Sequence, residues 1–247
     1  MKEIRARAPR FHVDAQLRAG GSCLLPEDSA HHAIHVLRLR PGDAVTLFDG
    51  RGGEYAARIA SMEKLRIAAD VLHHDPVERE SPLRVALVQG VSSGERMDFT
   101  IRKAVELGVA EIRPVLAASS MARPKGERAA ARHAHWQKVA IAACEQCGRN
   151  RIPPVHPLIE AKGYRDEGNA SRILLSPSSE VAFSKISTQV KNEAILAAGP
   201  EAGFSAEEER AFLDAGFVPA RLGPRVLRTE TAALAALAAL AALRGDF

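Results

Sequence analysis

Two glycine-proline turns near the C-terminus constrain the fold more than any other feature. They lie in LAAGPEAGFSAEE (residues 196–208) and RLGPRVLRTETAALAAL (residues 221–237). Each follows a short aliphatic run and leads into helix-like sequence. A chain that twice ends a strand this way builds a backbone cradle, because glycine lets main-chain donors approach a ligand closely. Ser205 and Glu208 stand at capping-box spacing, so a helix is expected to begin there. Thr229 or Thr231 is expected to cap the alanine-leucine helix that follows. Arg228 and Glu230 flank Thr229 and place a charged pair beside the second turn.

A chain of 247 residues holds one large domain or two modest ones. Residues 1–75 read as a small β-rich module. VTLFDG (45–50), EYAARIA (54–60) and KLRIAADVL (64–72) are strand-like, and Arg51, Gly52 and Gly53 signal a hairpin between the first two. A short helix is expected over residues 29–39. Residues 73–82 are polar and proline-punctuated, which suggests a linker. Beyond it, residues 76–247 alternate strands with helices. LRVALVQG (83–90) reads as a strand buried on both faces. Residues 97–107 form a helix with Phe99, Ile101, Ala104, Val105 and Leu107 as its apolar side, stopped by Gly108. EIRPVL, ILL (173–175), AILAAG (194–199) and FVPARLG (217–223) supply further strands, and residues 127–147 a long helix. This alternation predicts an α/β domain with a mostly parallel sheet, which binds ligands at the carboxyl ends of its strands.

Charge points to an anionic partner. The chain carries a net +4, unevenly spread. Residues 121–151 hold seven bases against two acids, and residues 1–40 seven against four. Two separated basic regions suit an extended polyanion, or are two solvated faces. With only 4% aromatics, recognition mainly by stacking platforms is not expected. Three cysteines, an odd number, argue against a disulfide framework. Arg5, Arg7 and Arg10 lead into no apolar segment, so no secretory signal is expected. The most apolar stretch, residues 232–243, has 12 residues where a membrane span needs about 20. The chain reads as soluble and cytoplasmic.

Other motifs have simpler readings. Cys144 and Cys147 have no second pair to complete a zinc site and read as small packed residues. His31 and His35 stand four apart on a helix, but no third metal ligand accompanies them, so packing or phosphate contact is expected and no metal. Leu234, Leu237, Leu240 and Leu243 alternate with alanines, as in a helix packed closely on neighbours or in a dimer interface. No G-x-G-x-x-G follows the strand ending at Gly90, which disfavours a dinucleotide-binding oxidoreductase.

Five segments together carry a family resemblance: RFH (10–12), HHAIHVLRLRPGD (31–43), GERMDFTIRKAVELGV (94–109), WQKVAIAACEQCGRNRIP (136–153) and the two turns. In this order, and almost end to end, they resemble the bacterial 16S rRNA (uracil(1498)-N(3))-methyltransferase family of the SPOUT superfamily. The resemblance implies a small PUA-like β-barrel for RNA, residues 1–75, followed by a SPOUT methyltransferase domain with a trefoil knot, residues 76–247. Without it, an ordinary doubly wound sheet would be expected, since threaded chains are exceptional. It further implies S-adenosyl-L-methionine as cofactor, N3 of one uridine (1498) of 16S rRNA in the 30S subunit as target, and a homodimer.

The resemblance places the cofactor against Leu175, Gly199, Pro200, Glu201, Gly203, Leu222, Gly223, Val226, Leu227, Thr231 and Ala232. N3 of uracil carries a proton, so the site needs a proton acceptor and a cation for charge developing on the ring oxygens. Arg228 fits the cation, with Arg149 as second candidate. Glu201 and Glu230 are the carboxylates nearest the turns. Either takes the proton, or Glu201 fixes the loop and Glu230 serves the helix dipole. Arg10, Arg38, Arg96, Arg123, Gln146 and Arg149 are candidates for RNA contact, with Asp98 bordering the site or simply opening its helix. One departure stands out: Ala202 replaces the family's usual fourth-position glycine, and strain is expected if that position needs positive φ. A SPOUT enzyme with a different RNA target, or a non-catalytic RNA-binding assembly factor, are the alternatives. The N-terminal module and ACEQCGRNR favour the rRNA reading over the first. The retained Arg228, Glu230 and turn glycines weigh against the second.

Overall fold

The computed structural model describes residues 8–120 and 123–247, so Lys2, Arg5 and Arg7 of the basic N-terminal stretch lie outside the described residues. The chain divides into two compact units, Met1–Glu80 with Cys144–Ile152, and Ser81–Ala143 with Pro153–Phe247.

The first unit contains β1 (Arg10–His12), β2 (Ser22–Leu24), α1 (Glu27–His35), β3 (Ala44–Phe48), β4 (Glu54–Glu63) and β5 (Arg66–Asp75). They form a five-stranded sheet in the order β1-β3-β4-β5-β2, antiparallel except for the parallel β1–β3 pair. Its period-two pattern sends Val45, Leu47, Ala57, Ile59, Ile67, Ala69 and Val71 into one core with Phe11, Leu17 and Leu25. The expected linker begins too early: His73, His74 and Asp75 still pair with β4, Glu54 opposite Asp75. Histidines suit a strand whose outer face is solvated, and the His74 ring rests 4.7 Å from that of Tyr55. Helix α1 spans Glu27–His35 where residues 29–39 were expected; Arg38 beyond it has φ +54°, which ends helical geometry. The short strands β1 and β2 carry too few residues to show a pattern.

Segment Cys144–Ile152 belongs to this unit through a buried polar network. Arg10, 7% exposed, pairs with Glu54 and donates to Asn150 Oδ1 at 2.7 Å and to Arg149 O at 3.2 Å. Asn150 in turn donates to Val77 O at 2.7 Å, and Arg149 pairs with Glu80. Buried guanidiniums are tolerable only with such partners.

The second unit contains β6 (Arg84–Gly90), α2 (Gly94–Glu106), β7 (Glu111–Leu116), α3 (Glu127–Cys147, its last turn grouped with the first unit), β8 (Ile159–Glu160), β9 (Ser171–Leu175), α4 (Phe183–Ser187), β10 (Glu193–Ala198), α5 (Ala206–Asp214), β11 (Val218–Ala220) and α6 (Thr229–Arg244). Its six strands lie in the order β11-β9-β10-β6-β7-β8, and every neighbouring pair is parallel. Central β6 and β10 are buried at every residue but their first, as a continuous apolar run requires when both faces are covered. Phe204, Phe212, Phe217 and Tyr164 gather on one face, with ring centroids 4.8 to 5.7 Å apart. The apolar stripe of α2 differs from expectation. Met97, Thr100, Ile101, Ala104 and Val105 are buried, whereas Phe99 is 42% exposed. No helix among the described residues is long and apolar enough to cross a membrane.

Candidate active site

Parallel pairing brings the carboxyl ends of β9, β10 and β11 side by side, with Leu175 opposite both Ala198 and Ala220. The chain after each strand turns over this edge and encloses a cavity of about 350 Å³. The first turn lines it with Gly199, Pro200, Glu201 and Gly203, and the second with Leu222, Gly223, Val226 and Leu227. Arg228, Glu230 and Ala232 continue the wall. Ten of the eleven residues expected to hold a cofactor therefore meet around one cavity. Thr231 does not, because it points to the exposed side of α6.

The first turn is a four-residue turn closed by Gly203 N donating to Pro200 O at 2.8 Å. Gly203 itself has φ +73°, which a side chain would resist. Ala202 has none of the strain considered for it: its φ is not positive, it is exposed, and it does not line the cavity. The glycine requirement falls one residue later. Gly90 meets a different constraint, since a Cβ there would lie 2.4 Å from Pro200 Cδ. Helix α5 begins with the expected capping box, Glu208 N donating to Ser205 Oγ at 3.3 Å and Ser205 N to Glu208 Oε2 at 2.8 Å. Glu208, 2% exposed, also accepts from Ala118 N at 2.6 Å, which ties the helix start to the end of β7.

Helix α6 begins differently from expectation. Arg228 is its N-cap residue and neither threonine caps it. The Thr229 hydroxyl is engaged elsewhere, donating to Gly199 O at 2.5 Å and accepting from Gln89 Nε2 at 3.0 Å. One hydroxyl thereby fastens the end of β6, the first turn and the start of α6. Sequence spacing could not show this, because Gln89 lies 140 positions away.

The two candidate carboxylates stand in unlike surroundings. Glu201 Oε1 accepts from Ser93 N and Ser93 Oγ, each at 3.1 Å, and from Arg96 Nη1 at 2.9 Å. Burial would raise its pKa, but these bonds and one from its own N–H outweigh that and hold it below the usual carboxylate range. Glu230 is the opposite case: its Oε2 is buried and accepts no hydrogen bond among the described residues. A buried acceptor without a partner is costly, so this carboxylate in the cavity wall calls for a functional account.

The RNA candidates divide between the two units, Arg10, Arg38, Gln146 and Arg149 in the first and Arg96 and Arg123 in the second. Arg96 lines the cavity. Arg38 and Gln146 are exposed, and Arg123 is exposed while pairing with Glu160 at 2.5 Å. Arg10 and Arg149 are buried within ion pairs, so neither guanidinium is presented to a polyanion, and Arg149 is committed to Glu80 instead of serving as a second cation. His31 and His35 stack with centroids 4.4 Å apart on an exposed surface. Cys144 is buried and Cys147 half-buried, both free thiols, and burial pushes the Cys144 thiol up to about 12. Sequence reading missed Ser176, Pro177, Ala198, Ala220, Arg225 and Thr229 in the cavity wall, although Arg225 sits inside the second turn and Ser176 follows the ILL strand.

Known proteins share this arrangement. Residues 79–241 match the RNA methyltransferase domain and residues 25–72 the RNA methyltransferase PUA domain. The chain is 32% identical to ribosomal RNA small subunit methyltransferase E of Buchnera aphidicola, over 98% of this chain and 96% of that protein. It is 31% identical to the Bacillus subtilis protein of the same name, over 89% and 91%. The crystal structure of ribosomal RNA small subunit methyltransferase E from Neisseria gonorrhoeae bound to S-adenosyl methionine superposes with a TM-score of 0.91 at 42% identity, covering 96% of this chain and 98% of that one. A PUA domain ahead of a parallel-sheet methyltransferase domain, with a cavity built by two glycine-proline turns, makes this chain a member of the ribosomal RNA small subunit methyltransferase E family.

Proposed function

We propose that this protein methylates N3 of a single uridine, 1498, of 16S rRNA in the small ribosomal subunit, using S-adenosyl-L-methionine. The observation that carries the reading is the cavity itself, walled by both turns and bounded by Glu230 and Arg228. Its residues fit the cofactor: about 350 Å³ suits a small molecule, the turns offer backbone groups, and Leu175, Leu222, Val226 and Leu227 supply apolar walls. When bound, that cofactor supplies an already activated methyl group on a sulfonium, whose C–S electron pair stays with sulfur on transfer. Glu230 Oε2 accepts the N3 proton, leaving the N3 electron pair to form the new N–C bond. Arg228 stabilises negative charge that develops on the uracil oxygens. Glu201, held ionised by Ser93 and Arg96, fixes the shape of the first turn and makes a poor base.

Residues 1–75 act as the RNA-binding module in this reading, and residues 76–247 as the catalytic domain. The knot rests on the family resemblance; Thr229 at the start of α6 is bonded to Gly199 of the first turn and to Gln89 of β6. We infer a homodimer acting in the cytoplasm on 16S rRNA of the 30S subunit. Support for the dimer comes from the family resemblance and from Leu243 and Phe247, 50% and 69% exposed at the C-terminal end. The test is methyl transfer from labelled S-adenosylmethionine to subunits lacking the modification, followed by nucleoside analysis and sedimentation of the enzyme. A single 3-methyluridine is the expected product. Methylation of tRNA or of a ribose hydroxyl instead would replace the target, and RNA binding without cofactor affinity would point to an assembly factor.

A further inference from the structure

The exposed side of α2 combines an aromatic ring with charged side chains. Glu95, Asp98, Phe99 and Arg102 recur three and four residues apart, so they share one helical face away from the buried stripe. With Arg96 and Glu230 they line a hollow of about 510 Å³. Arg96 and Glu230 also line the cofactor cavity, so the two spaces meet at the carboxylate whose Oε2 lacks a partner. Phe99 lines the hollow and is 42% exposed although the same helix buries Met97 and Ile101. Asp98 is engaged by His135 at 2.7 Å, while Arg102 is exposed and makes no ion pair among the described residues.

N3 lies on the Watson–Crick edge of uracil, so a methyl group reaches it only when the base is unpaired and swung out of its stack. A protein that receives such a base needs a flat apolar partner to replace the lost stacking and a cation for the phosphate. We propose that this face of α2 seats the target nucleotide, Phe99 stacking on the uracil and Arg102 binding its phosphate, with N3 directed to Glu230. The inference rests on the methyltransferase reading and adds the residues that hold its substrate. Asp98 and Glu95 border the seat and keep further phosphates off it.

The test compares Phe99→Ala, Phe99→Trp and Arg102→Gln with the unmodified protein. KM and kcat are measured on small subunits lacking the modification, cofactor affinity by calorimetry, and mass by sedimentation. Phe99→Ala should raise KM for the subunit about tenfold with cofactor affinity and mass unchanged, because base stacking is lost. Phe99→Trp should restore KM, and Arg102→Gln should raise KM and flatten its dependence on salt. An unchanged KM in Phe99→Ala overturns the proposal. So does a changed mass, which would assign the face to a second copy of the chain, or a changed cofactor affinity, which would assign it to the first cavity. If the unmodified protein forms no 3-methyluridine, the methyltransferase reading fails and this inference with it.

Discussion

At the scale of single residues, the site separates groups that its sequence neighbourhood makes look alike. Glu201 and Glu230 both lie beside a turn, yet one carboxylate receives three hydrogen bonds from Ser93 and Arg96 and the other keeps a bare, buried oxygen. Replacing Glu230 by Gln should therefore lower kcat about 100- to 10,000-fold while cofactor affinity holds, measured by single-turnover transfer and calorimetry. Equal turnover in that variant would return the proton to solvent. Arg228→Ala should lower turnover at least about 100-fold. Its side chain is exposed, so the melting temperature should hardly move. Ala202→Gly is expected to leave cofactor affinity unchanged by calorimetry, because the alanine neither adopts positive φ nor touches the cavity. A loss of affinity there would mean that the methyl group stiffens the turn.

At the scale of elements, helix starts carry the site. The capping box of α5 was readable from Ser205 and Glu208 because it is a local device, complete within four residues. Ser205→Ala should cost about 1 kcal/mol of stability in denaturant unfolding, with the first turn loosened alongside. An unaltered midpoint would show that Glu208, through Ala118 N, anchors the helix alone. Helix α6 shows the limit of local reading. Thr229 has the right chemistry for a cap, but a longer-range demand from Gly199 and Gln89 takes its hydroxyl. Phe99 shows the same limit in α2: it falls near the apolar stripe in sequence, and only the packing decides that Met97 and Ile101 go inside without it.

At the scale of the whole molecule, each unit is stitched by carboxylates with guanidinium partners. Glu54 in the first unit and Glu111 and Asp166 in the second all titrate below their ordinary values. Burial raises each one, and bonds to Arg79 and Arg10, to His156 and Arg113, and to Arg113 and Arg172 more than reverse it. Their pKa values are lower folded than unfolded, so the stability they contribute is full above about pH 4.5 and is lost as pH falls through the depressed values. Glu145 acts in the other direction, since burial raises it despite the hydrogen bond from His12 N. Glu201 and Glu207 are depressed as well, so with five lowered carboxylates against one raised the melting temperature should decline between about pH 4.5 and pH 3 in scanning calorimetry. A flat profile over that range would mean the pairs survive unfolding or contribute nothing.

The sequence by itself determined most of the strands, the long helix, the parallel sheet and the two turns, because apolar runs, glycines and prolines act within a few residues of themselves, whereas β1, β2 and β8 are too short to carry a pattern. Through the family resemblance it also pointed to ten residues that line one cavity, eight of them in the two contiguous turn segments. Tertiary structure alone decided the rest. It buried Arg10 and Arg149 in ion pairs with Glu54 and Glu80, joined residues 144–152 to the first unit, and left Glu230 Oε2 without a partner among the described residues. Those outcomes depend on which distant groups meet in a low-dielectric interior, where each charge or acceptor must find a partner or remain for a ligand, and no local pattern in the chain encodes that meeting.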